Sequence, residues 1–599
     1  MSASASGLVY ATLTVLLFRN LLPDITTHLF SDLGDPLMIV SILEWNARHL
    51  PLTAAWWNFP SFAPLQGVTA FTEHFLLVYP VTSPIVWLTG NPVLAYNIVF
   101  LLVWPADAMA AYALASEVTG SSSAAFVGGL AFGFAPYLAN HLSHLQLLLA
   151  FGMPLGLLGL HRYRRTRRRG DAAMCGAGWL ATASASAYTL MFFPILVVMW
   201  CAWFVRPREW RTLVAPVIAG LVASIPLIPL LAGYSARQAA LGLTRSYGES
   251  KEWAADMTAL IGVSHRDWLW SGWLPITYGE SSIFPGLTIL ALAAFAVVAR
   301  RGADLAQSGA DLYSPRYTRW SRTLVSLAAV TIAIVLARMW AGPSGWPLPP
   351  FRPYRVFTFA VLLLIAALLV SRRFRASWKQ RDPVMFYGVA TVFFWLLTLG
   401  PEPTFAGERI LTYGPYRLFF ELHAPVVVRV SARAWMLVLP CLAVLAAFGT
   451  KLLLGRVPRH RNAALAVVAV LIVAESWFVD GTQAVPQPMP RGTIPAGASV
   501  LDVPFDDPFV NATAQYRAVI GGYRTINGYS GYEAPHLTRL RKAFKDGEYD
   551  ALEMYRRSAD LYVIVRPEAD PSFTRWIAAQ RGDRESENPG AIVYRLPSN

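Results

Sequence analysis

Long apolar segments constrain this chain more than any other feature of its sequence. From Leu8 to Val479, apolar runs of roughly 16 to 25 residues recur, and about 20 such residues in a helix cross the hydrocarbon core of a bilayer. Of the 599 residues, 55% are hydrophobic and only 14% are charged, so few polar positions interrupt these runs. We therefore predict a polytopic all-α membrane protein.

Basic clusters between the apolar runs indicate how many of the runs cross. Lys and Arg prefer cytoplasmic loops, yet fourteen crossings from a cytoplasmic N-terminus would place the strongest cluster, residues 162–169, outside. The weakest candidate is the short segment 73–89, which begins with Glu73 and His74 and contains two prolines. If segment 73–89 does not cross the membrane, the sequence predicts about 13 transmembrane helices, the first of which is a retained span. The N-terminus is then cytoplasmic and the C-terminus external.

The predicted topology divides the chain into two parts. Residues 1–479 form the transmembrane part, with large external loops at 24–90 and 233–281. Residues 480–599 begin with a proline-rich linker and continue with strand-like runs, such as Leu561–Val565, and a helical stretch. Because about 110 residues suffice for a separate core, we predict a small external α/β domain there.

Charge and cysteine usage exclude several classes of protein. The formal net charge is +14, but the basic residues lie in short clusters between apolar runs, which is typical of loops facing anionic lipid and not of nucleic-acid binding. The three cysteines lie in apolar runs without pairing spacing, which argues against a disulfide framework and against a thiolate metal site. The absence of GxxxxGK and HExxH motifs argues against an ATP-driven pump and a zinc protease.

Polar residues are costly in so apolar a chain, and their clustering on one side therefore indicates a functional site. On the predicted external side the candidates are Asp35, Glu73, His74, His144, Arg245, Glu280, Arg355, Arg429 and Arg433.

Asp35, in the stretch SDLGDPLMIV, has two compatible interpretations. Asp before Pro36 is typical of an N-cap followed by the first residue of a helix, here an interfacial helix over 36–50. A carboxylate held at the membrane surface is also a candidate general base for a hydroxyl acceptor. A cap would also fix the position of the base.

Several other candidates keep a structural and a functional alternative. Glu73 and His74 either lie in the headgroup region or bind sugar hydroxyls or a divalent ion. Without a dense carboxylate motif, we expect no metal, although a divalent metal stays open. His144 and Glu280 either begin helices or bind substrate. The stretch 527–532, NGYSGY, is either a tight loop or an aromatic platform for a sugar.

The order of these features resembles the GT-C superfamily of integral-membrane glycosyltransferases, and within it the bacterial branch that uses polyprenyl-phosphate sugars. The motifs that carry the resemblance are Gly34-Asp35-Pro36, Trp45, Thr72-Glu73-His74, Asn91-Pro92 with Ala95-Tyr96-Asn97, His144-Leu145-Gln146 with Pro154-Leu155, Glu280 with Phe284-Pro285-Gly286, Arg429 with Ala432-Arg433, and residues 527–532. They extend over most of the chain, and the family implies a reaction type but no particular sugar.

The resemblance implies an inverting transfer of a sugar from a polyprenyl-phosphate donor to an external acceptor hydroxyl on a glycan, lipid or protein. Asp35 would match the family's acidic residue and act as general base. Arg429 and Arg433 first, then Arg245 and Arg355, would stabilise the departing phosphate. Such an enzyme lies in the cytoplasmic (inner) membrane with its C-terminal domain periplasmic or extracellular. Substrate contacts would come also from Glu73, His74, His144 and Glu280.

Two other functions remain as alternatives. A transporter or flippase for a polyprenol-linked or other lipid substrate would be expected to show an internal repeat and ionisable residues near the bilayer midplane. The sequence has no clear repeat, and most of its polar clusters lie in loops. A non-catalytic scaffold for envelope assembly would tolerate replacement of Asp35 by Asn.

Overall fold

Helices dominate the chain. The computed structural model describes residues 1–307, 315–345, 352–422, 428–490, 492–557, 559–580, 583–588 and 591–598. The α-helices are α1 Ala3–Leu17, α2 Asp35–Arg48, α3 Ala54–Trp57, α4 Tyr79–Thr89, α5 Pro92–Thr119, α6 Ser122–Gly133, α7 Leu145–Leu148, α8 Gly152–Thr166, α9 Arg169–Ala185, α10 Ala187–Phe204, α11 Val214–Ser224, α12 Leu227–Ala240, α13 Tyr247–Glu252, α14 Leu287–Gln307, α15 Pro315–Gly345, α16 Pro353–Val370, α17 Arg372–Gln380, α18 Pro383–Thr398, α19 Arg417–Glu421, α20 Val438–Arg456, α21 Arg461–Glu475, α22 Pro508–Gly521, α23 Pro535–Lys545 and α24 Pro571–Ala579. The strands are β1 His28–Phe30, β2 Thr404–Phe405, β3 Glu408–Arg409, β4 Thr482–Ala484, β5 Ser499–Val503, β6 Arg524–Thr525, β7 Leu561–Val565, β8 Asp583–Asn588 and β9 Ala591–Leu596.

Seven helical segments in the described ranges are long and apolar enough to cross a membrane. They are Pro92–Thr119, Ser122–Asn140, Leu145–Thr166, Ala187–Phe204, Arg319–Arg338, Pro353–Val370 and Ser431–Arg456. An eighth is added if Pro207–Ser224 and Leu227–Ala240, bent by 54°, form one span. Shorter apolar helices lie at Ala3–Leu17, Leu287–Ala299 and Pro383–Thr398. The chain is a multi-pass helical membrane protein, and the count of about 13 spans stays a prediction.

Segment 73–89, which the charge argument removed from the spans, contains only the short helix α4. The 11 residues of α4 extend about 16 Å at 1.5 Å per residue, roughly half of the hydrocarbon core. Glu73 and His74 lie in the loop before this helix. Helix α4 alone is therefore too short to span.

The centre of the bundle is the packing of α6 between α5 and α20. A Cβ added at Gly133 would lie 2.7 Å from the Ala108 Cβ, and one at Gly128 would lie 2.9 Å from the Ala115 Cβ. Only glycine permits such close approach of two helices, which is how apolar helices pack tightly within a membrane. Tyr10 of α1 fastens the first helix to this core by donating a 2.8 Å hydrogen bond to the Phe126 carbonyl.

Helix α2 differs from the interfacial helix that the sequence predicted. Its side chains from Pro36 to Glu44 are buried, because α4 and α5 pack on it together with α22, a helix from the far C-terminal part of the chain. The prediction of a surface helix was therefore wrong. The burial also fixes the orientation of Asp35 at the first position of the helix.

The C-terminal residues form a five-stranded sheet of order β6-β5-β7-β9-β8. Strand β5 pairs in parallel with β6 and β7, whereas β9 runs antiparallel to β7 and β8. The strand β7 lies where the sequence predicted it, and strand β4 pairs with β1 of the first loop. A separate domain over 480–599 stays a prediction, since α22 packs on α2.

Candidate functional site

A cavity of about 350 Å³ lies between the helical bundle and the C-terminal sheet. Six of the nine predicted site residues line it: Asp35, Glu73, His74, Arg245, Arg429 and Arg433. Leu227, Leu230 and Leu231 of α12 form an apolar wall. The cavity therefore combines a carboxylate, several cations and an apolar surface within one space.

Asp35 begins helix α2 but does not cap it. Gly34 is the cap residue, and the turn is held by Asp32, whose Oδ1 accepts a 2.8 Å hydrogen bond from the Gly34 N–H. The cap interpretation of Asp35 was therefore wrong. Its Oδ1 instead accepts a 2.8 Å hydrogen bond from the Tyr529 hydroxyl, and its Oδ2 lies 3.3 Å from His144 Nε2. The carboxylate is oriented from both sides and remains about one-fifth exposed to the cavity.

His144, Glu280 and Arg433 continue the chain of contacts behind Asp35. His144 Nε2 lies 3.3 Å from Glu280 Oε1, and Arg433 Nε donates a 2.9 Å hydrogen bond to Glu280 Oε2. A second Arg433 N–H donates to Glu280 Oε1, so the pair is bidentate. Burial pushes the pKa of Glu280 upward, but Arg433 and then His144 outweigh it and hold that pKa below its usual value. Glu280 is therefore ionised and neutralises most of the Arg433 charge.

His141 also belongs to this cluster and lies beside Glu280. Its Nδ1 lies 3.9 Å from Glu280 Oε2, and its ring packs against Tyr137 at 4.3 Å between centroids. Burial lowers the pKa of His141 to about 3. The imidazole is therefore neutral near pH 7 and adds no positive charge beside Glu280.

Arg429 is the cation with the fewest protein partners at the cavity. Its guanidinium lies 5.2 Å from the centroid of the Trp253 ring, and no acidic side chain in the described ranges lies within ion-pairing distance of it. A guanidinium resting on an aromatic face is held in place while its N–H groups stay free. Arg429 can therefore bind an anion in the cavity.

Arg245 is bound to the C-terminal loop. Its guanidinium stacks over Tyr532 at 3.5 Å from the ring centroid and donates a 3.0 Å hydrogen bond to the Gly531 carbonyl. Glu249 Oε1 lies 3.3 Å from the same nitrogen. Part of the Arg245 charge is thus balanced, and the side chain fastens the loop after α12 to residues 531–532.

Glu73 and His74 are held by the protein and not by a membrane surface. Glu73 Oε1 accepts hydrogen bonds from the Ser186 hydroxyl at 3.0 Å and the Ala187 N–H at 3.1 Å, at the start of α10. Burial raises the pKa of Glu73 despite these bonds. His74 Nδ1 accepts a 3.0 Å bond from the Leu76 N–H, and burial lowers the pKa of His74 to about 4. Both side chains therefore form part of the cavity wall.

Arg355 is the predicted site residue that the structure does not bring to the cavity. It lies in the first turn of α16, where its N–H donates a 3.0 Å hydrogen bond to the Arg352 carbonyl. His144 and Glu280 lie just behind the lining and contact it through Asp35 and Arg433.

The stretch 527–532 serves as a loop and as a wall of the cavity. The buried Asn527 side chain donates a 2.9 Å hydrogen bond to the Asp502 carbonyl and anchors the loop to β5. Ser530 donates a 2.6 Å hydrogen bond to the Phe71 carbonyl, which presents Tyr529 and Tyr532 to the cavity. The sequence analysis included Tyr529 in a possible sugar platform, but it did not predict the bond to Asp35, which is 494 residues away.

Tyr188 and Gln146 are further cavity residues without a prior assignment. Arg433 lies 4.7 Å from the Tyr188 ring centroid, and the buried Gln146 Oε1 has no hydrogen-bond partner among the described residues. The motif that contains His144 and Gln146 was the available signal for the latter.

The described ranges contain no group of three or more His, Cys, Asp and Glu side chains arranged to hold a metal ion. The carboxylate nearest to Asp35 in the cluster, Glu280, already gives both oxygens to Arg433. A cation at this position would have to displace a bidentate guanidinium.

No protein-family model matches the sequence, and no curated protein matches it. Among solved structures, the chain is similar to the oligosaccharyltransferase AglB from Archaeoglobus fulgidus, in complex with an inhibitory peptide and a dolichol-phosphate, with TM-score 0.47 and 12% identity over 94% of this chain and 69% of that one. It is also similar to the mycobacterial arabinofuranosyltransferase AftD, with TM-score 0.46 and 14% identity over 100% of this chain and 42% of that one.

ArnT from Cupriavidus metallidurans, in the apo state, has TM-score 0.37 and 14% identity over 99% of this chain and 98% of that one. These similarities are low.

Proposed function

We propose that the chain is a GT-C-type membrane glycosyltransferase that moves a sugar from a polyprenyl-phosphate donor to a hydroxyl of an external acceptor. The observation that carries this proposal is the single cavity in which Asp35, Arg429 and the apolar wall of α12 meet. A carboxylate accepts a proton, a free guanidinium binds a phosphate, and an apolar wall receives the carbon chain of a lipid.

In the proposed reaction, the acceptor oxygen attacks the anomeric carbon as the bond from that carbon to the phosphate oxygen breaks. The acceptor proton passes to the Asp35 carboxylate, and the bonding electrons leave with the lipid phosphate. A single displacement of this kind inverts the configuration at the anomeric carbon. The phosphate gains one negative charge, which a cation already in place stabilises without reorganisation.

Arg429 is the arginine that we assign to this phosphate. Arg433 is paired with Glu280, and Arg245 is bound to Gly531 and Glu249. The positive charge of both arginines is therefore partly neutralised within the protein. Arg433 then acts as a positioning residue, because it holds Glu280, which in turn contacts His144 beside Asp35. We assign no role to Arg355.

His144 lies between two carboxylates and acts as a positioning residue for Asp35. Its Nε2 is 3.3 Å from an oxygen of Asp35 and 3.3 Å from an oxygen of Glu280. An N–H in this position keeps the Asp35 carboxylate oriented while its other oxygen receives the proton from the acceptor. Glu73 and His74 line the same cavity, and we assign them to the wall against which the sugar lies.

The proposal places the enzyme in the cytoplasmic membrane, with the cavity and the C-terminal sheet on the external side. The acceptor is a glycan, lipid or protein, and no resident metal takes part.

Purification of the full chain with native lipids, followed by mass spectrometry of the bound species, tests this function. We expect a polyprenyl-phosphate sugar to copurify with the wild type and with Asp35→Asn, and to be lost from Arg429→Ala. Recovery of ordinary phospholipids alone would contradict the assignment. Movement of a labelled polyprenyl-phosphate sugar across reconstituted vesicles without sugar transfer would instead support a flippase.

A further inference from the structure

A second cleft, of about 450 Å³, lies at the opposite end of α2 from Asp35. We call it the α2–β6 cleft, and its polar lining comes from Arg48, His49, Asn58, Gln66 and Arg524, with Trp45 as its main aromatic wall. We propose that the α2–β6 cleft binds sugar units of the acceptor that are distant from the reacting hydroxyl, so that the acceptor is an oligosaccharide or polysaccharide. This proposal rests on the proposed function.

The chemistry of the lining suits a polyhydroxylated chain. Planar amide and imidazole groups donate and accept hydrogen bonds, and guanidinium groups donate them, as adjacent sugar hydroxyls require. The stacked rings of Trp45 and His49 form a wall against which the apolar C–H groups of a sugar ring can pack. The Trp45 ring is fixed by a 2.8 Å hydrogen bond from its Nε1–H to the Trp56 carbonyl. Among the described residues, no acidic side chain lines the cleft, so that Arg524 would also tolerate acidic sugars.

Three lining side chains are already held by the protein and keep a free polar group. Asn58 Oδ1 accepts a 2.9 Å hydrogen bond from the Gly67 N–H, which leaves its amide N–H₂ as a donor. His49 stacks on Trp45 at 3.5 Å, and its Nδ1 lies 3.2 Å from the Trp45 carbonyl, which leaves Nε2 as an acceptor. Arg524 gives one N–H to the Leu65 carbonyl at 3.2 Å and keeps the others. Such groups lose little conformational entropy when a ligand binds.

The distance between the α2–β6 cleft and Asp35 sets the minimum length of a ligand that binds at both sites. Helix α2 extends about 20 Å from Asp35 to Arg48 at 1.5 Å per residue. This length exceeds one sugar ring, so a ligand that occupies the cavity and the cleft together must contain several sugar units.

The backbone between the two sites is continuous and hydrogen-bonded. The Thr525 N–H donates to the Pro60 carbonyl at 2.9 Å, the Ala63 N–H donates to the Thr525 carbonyl at 2.9 Å, and the Phe62 N–H donates to the Asn527 carbonyl at 3.0 Å. The first loop and the C-terminal sheet therefore hold the cleft at a fixed spacing from the cavity. A linear chain of matching length would gain from both sites at once.

The test uses the full-length protein in detergent and a panel of synthetic gluco-, manno-, arabino- and rhamno-oligosaccharides, each as a monosaccharide and as a hexasaccharide. The matched variant is His49→Phe with Asn58→Asp. The phenylalanine keeps a ring on Trp45 but removes the Nε2 acceptor of His49, and the aspartate keeps the acceptor for the Gly67 N–H but removes the amide donor of Asn58. Arg539→Ala on α23, an exposed residue outside the cleft lining, is the control.

We expect at least one hexasaccharide to bind the wild type and the control roughly tenfold or more tightly than its monosaccharide, and the double variant to lose this length dependence. Equal affinity for both lengths throughout the panel, or length dependence that survives in the double variant, would overturn the proposal. Binding is measured separately from transfer, by isothermal titration. Length-dependent binding without any sugar transfer by the wild type would therefore refute the proposed glycosyltransferase function. It would still support sugar binding in the α2–β6 cleft.

Discussion

Replacing Arg433 by alanine isolates the buried ion pair that supports Asp35. The two side chains are only 9% and 11% exposed, and removing one partner of such a pair typically costs about 3–5 kcal/mol, because the other charge is left buried and uncompensated. Since the whole free energy of unfolding of a domain is about 5–15 kcal/mol, the loss should be plain in a thermal unfolding experiment.

The pH dependence separates this explanation from a simple packing defect. In the wild type the pKa of folded Glu280 is below its unfolded value, so its stabilisation is present above the unfolded pKa and is lost only as pH falls through the folded pKa. Without Arg433, burial dominates and the folded pKa rises above the unfolded one. The stabilisation is then present at low pH and lost as pH rises. We therefore expect Arg433→Ala to regain much of its deficit between pH 8 and pH 5, while the wild type changes little from this group.

Thermal unfolding by intrinsic fluorescence, recorded from pH 8 to pH 5 in one detergent, measures this difference. Adding Glu280→Gln to Arg433→Ala removes the titrating group and should remove the pH-dependent recovery. Parallel curves for wild type and Arg433→Ala over the whole range would refute the reasoning, since they would show that Glu280 is not the charge that Arg433 compensates.

Three further predictions concern the cavity. Tyr529→Phe removes the hydrogen bond to Asp35. Since a hydrogen bond to a charged group contributes about 1.5–3 kcal/mol, kcat/KM should fall by roughly 10- to 150-fold. The control Tyr278→Phe, on the exposed surface, should leave kcat/KM within twofold of the wild type. Arg429→Ala should raise KM for the lipid donor by tenfold or more, whereas Arg355→Ala, outside the cavity, should not; equal effects would show that the phosphate lies elsewhere. Chelation with EDTA should leave the transfer rate unchanged, and recovery of a lost rate by Mg²⁺ or Mn²⁺ would contradict the metal-free proposal.

Local signals in the sequence located several elements correctly. Helix α5 begins after Asn91, whose side chain caps it, with Pro92 at the first helical position, and this Asn-Pro pair is a local start signal in the sequence. The strand β7, Leu561–Val565, is a buried run of β-branched and aromatic residues and was predicted residue for residue. Such elements depend on their own residues and immediate neighbours.

The features that the sequence did not reveal depend on distant contacts. Helix α2 has Glu44 and Arg48 on one face, which suggested a surface helix, but α22 covers it and Arg48 pairs with the buried Glu44. The orientation of Asp35 is set by Tyr529, across 494 residues, and no local pattern predicts such a pair. Most of the candidate residues do gather at one cavity, because charged groups in an apolar chain collect where water or partners can stabilise them.

The central claim is that Asp35 takes the proton of the acceptor, and a transfer assay with Asp35→Asn tests it most directly. The wild type and the variant are purified with the same lipids, loaded with the copurifying donor and incubated with an acceptor, and the transferred sugar is quantified. We predict that Asp35→Asn folds and binds the donor as the wild type does, but that its transfer rate falls by at least about 100-fold, as loss of a general base requires. Transfer at the wild-type rate by a folded, donor-loaded Asp35→Asn protein would contradict the account.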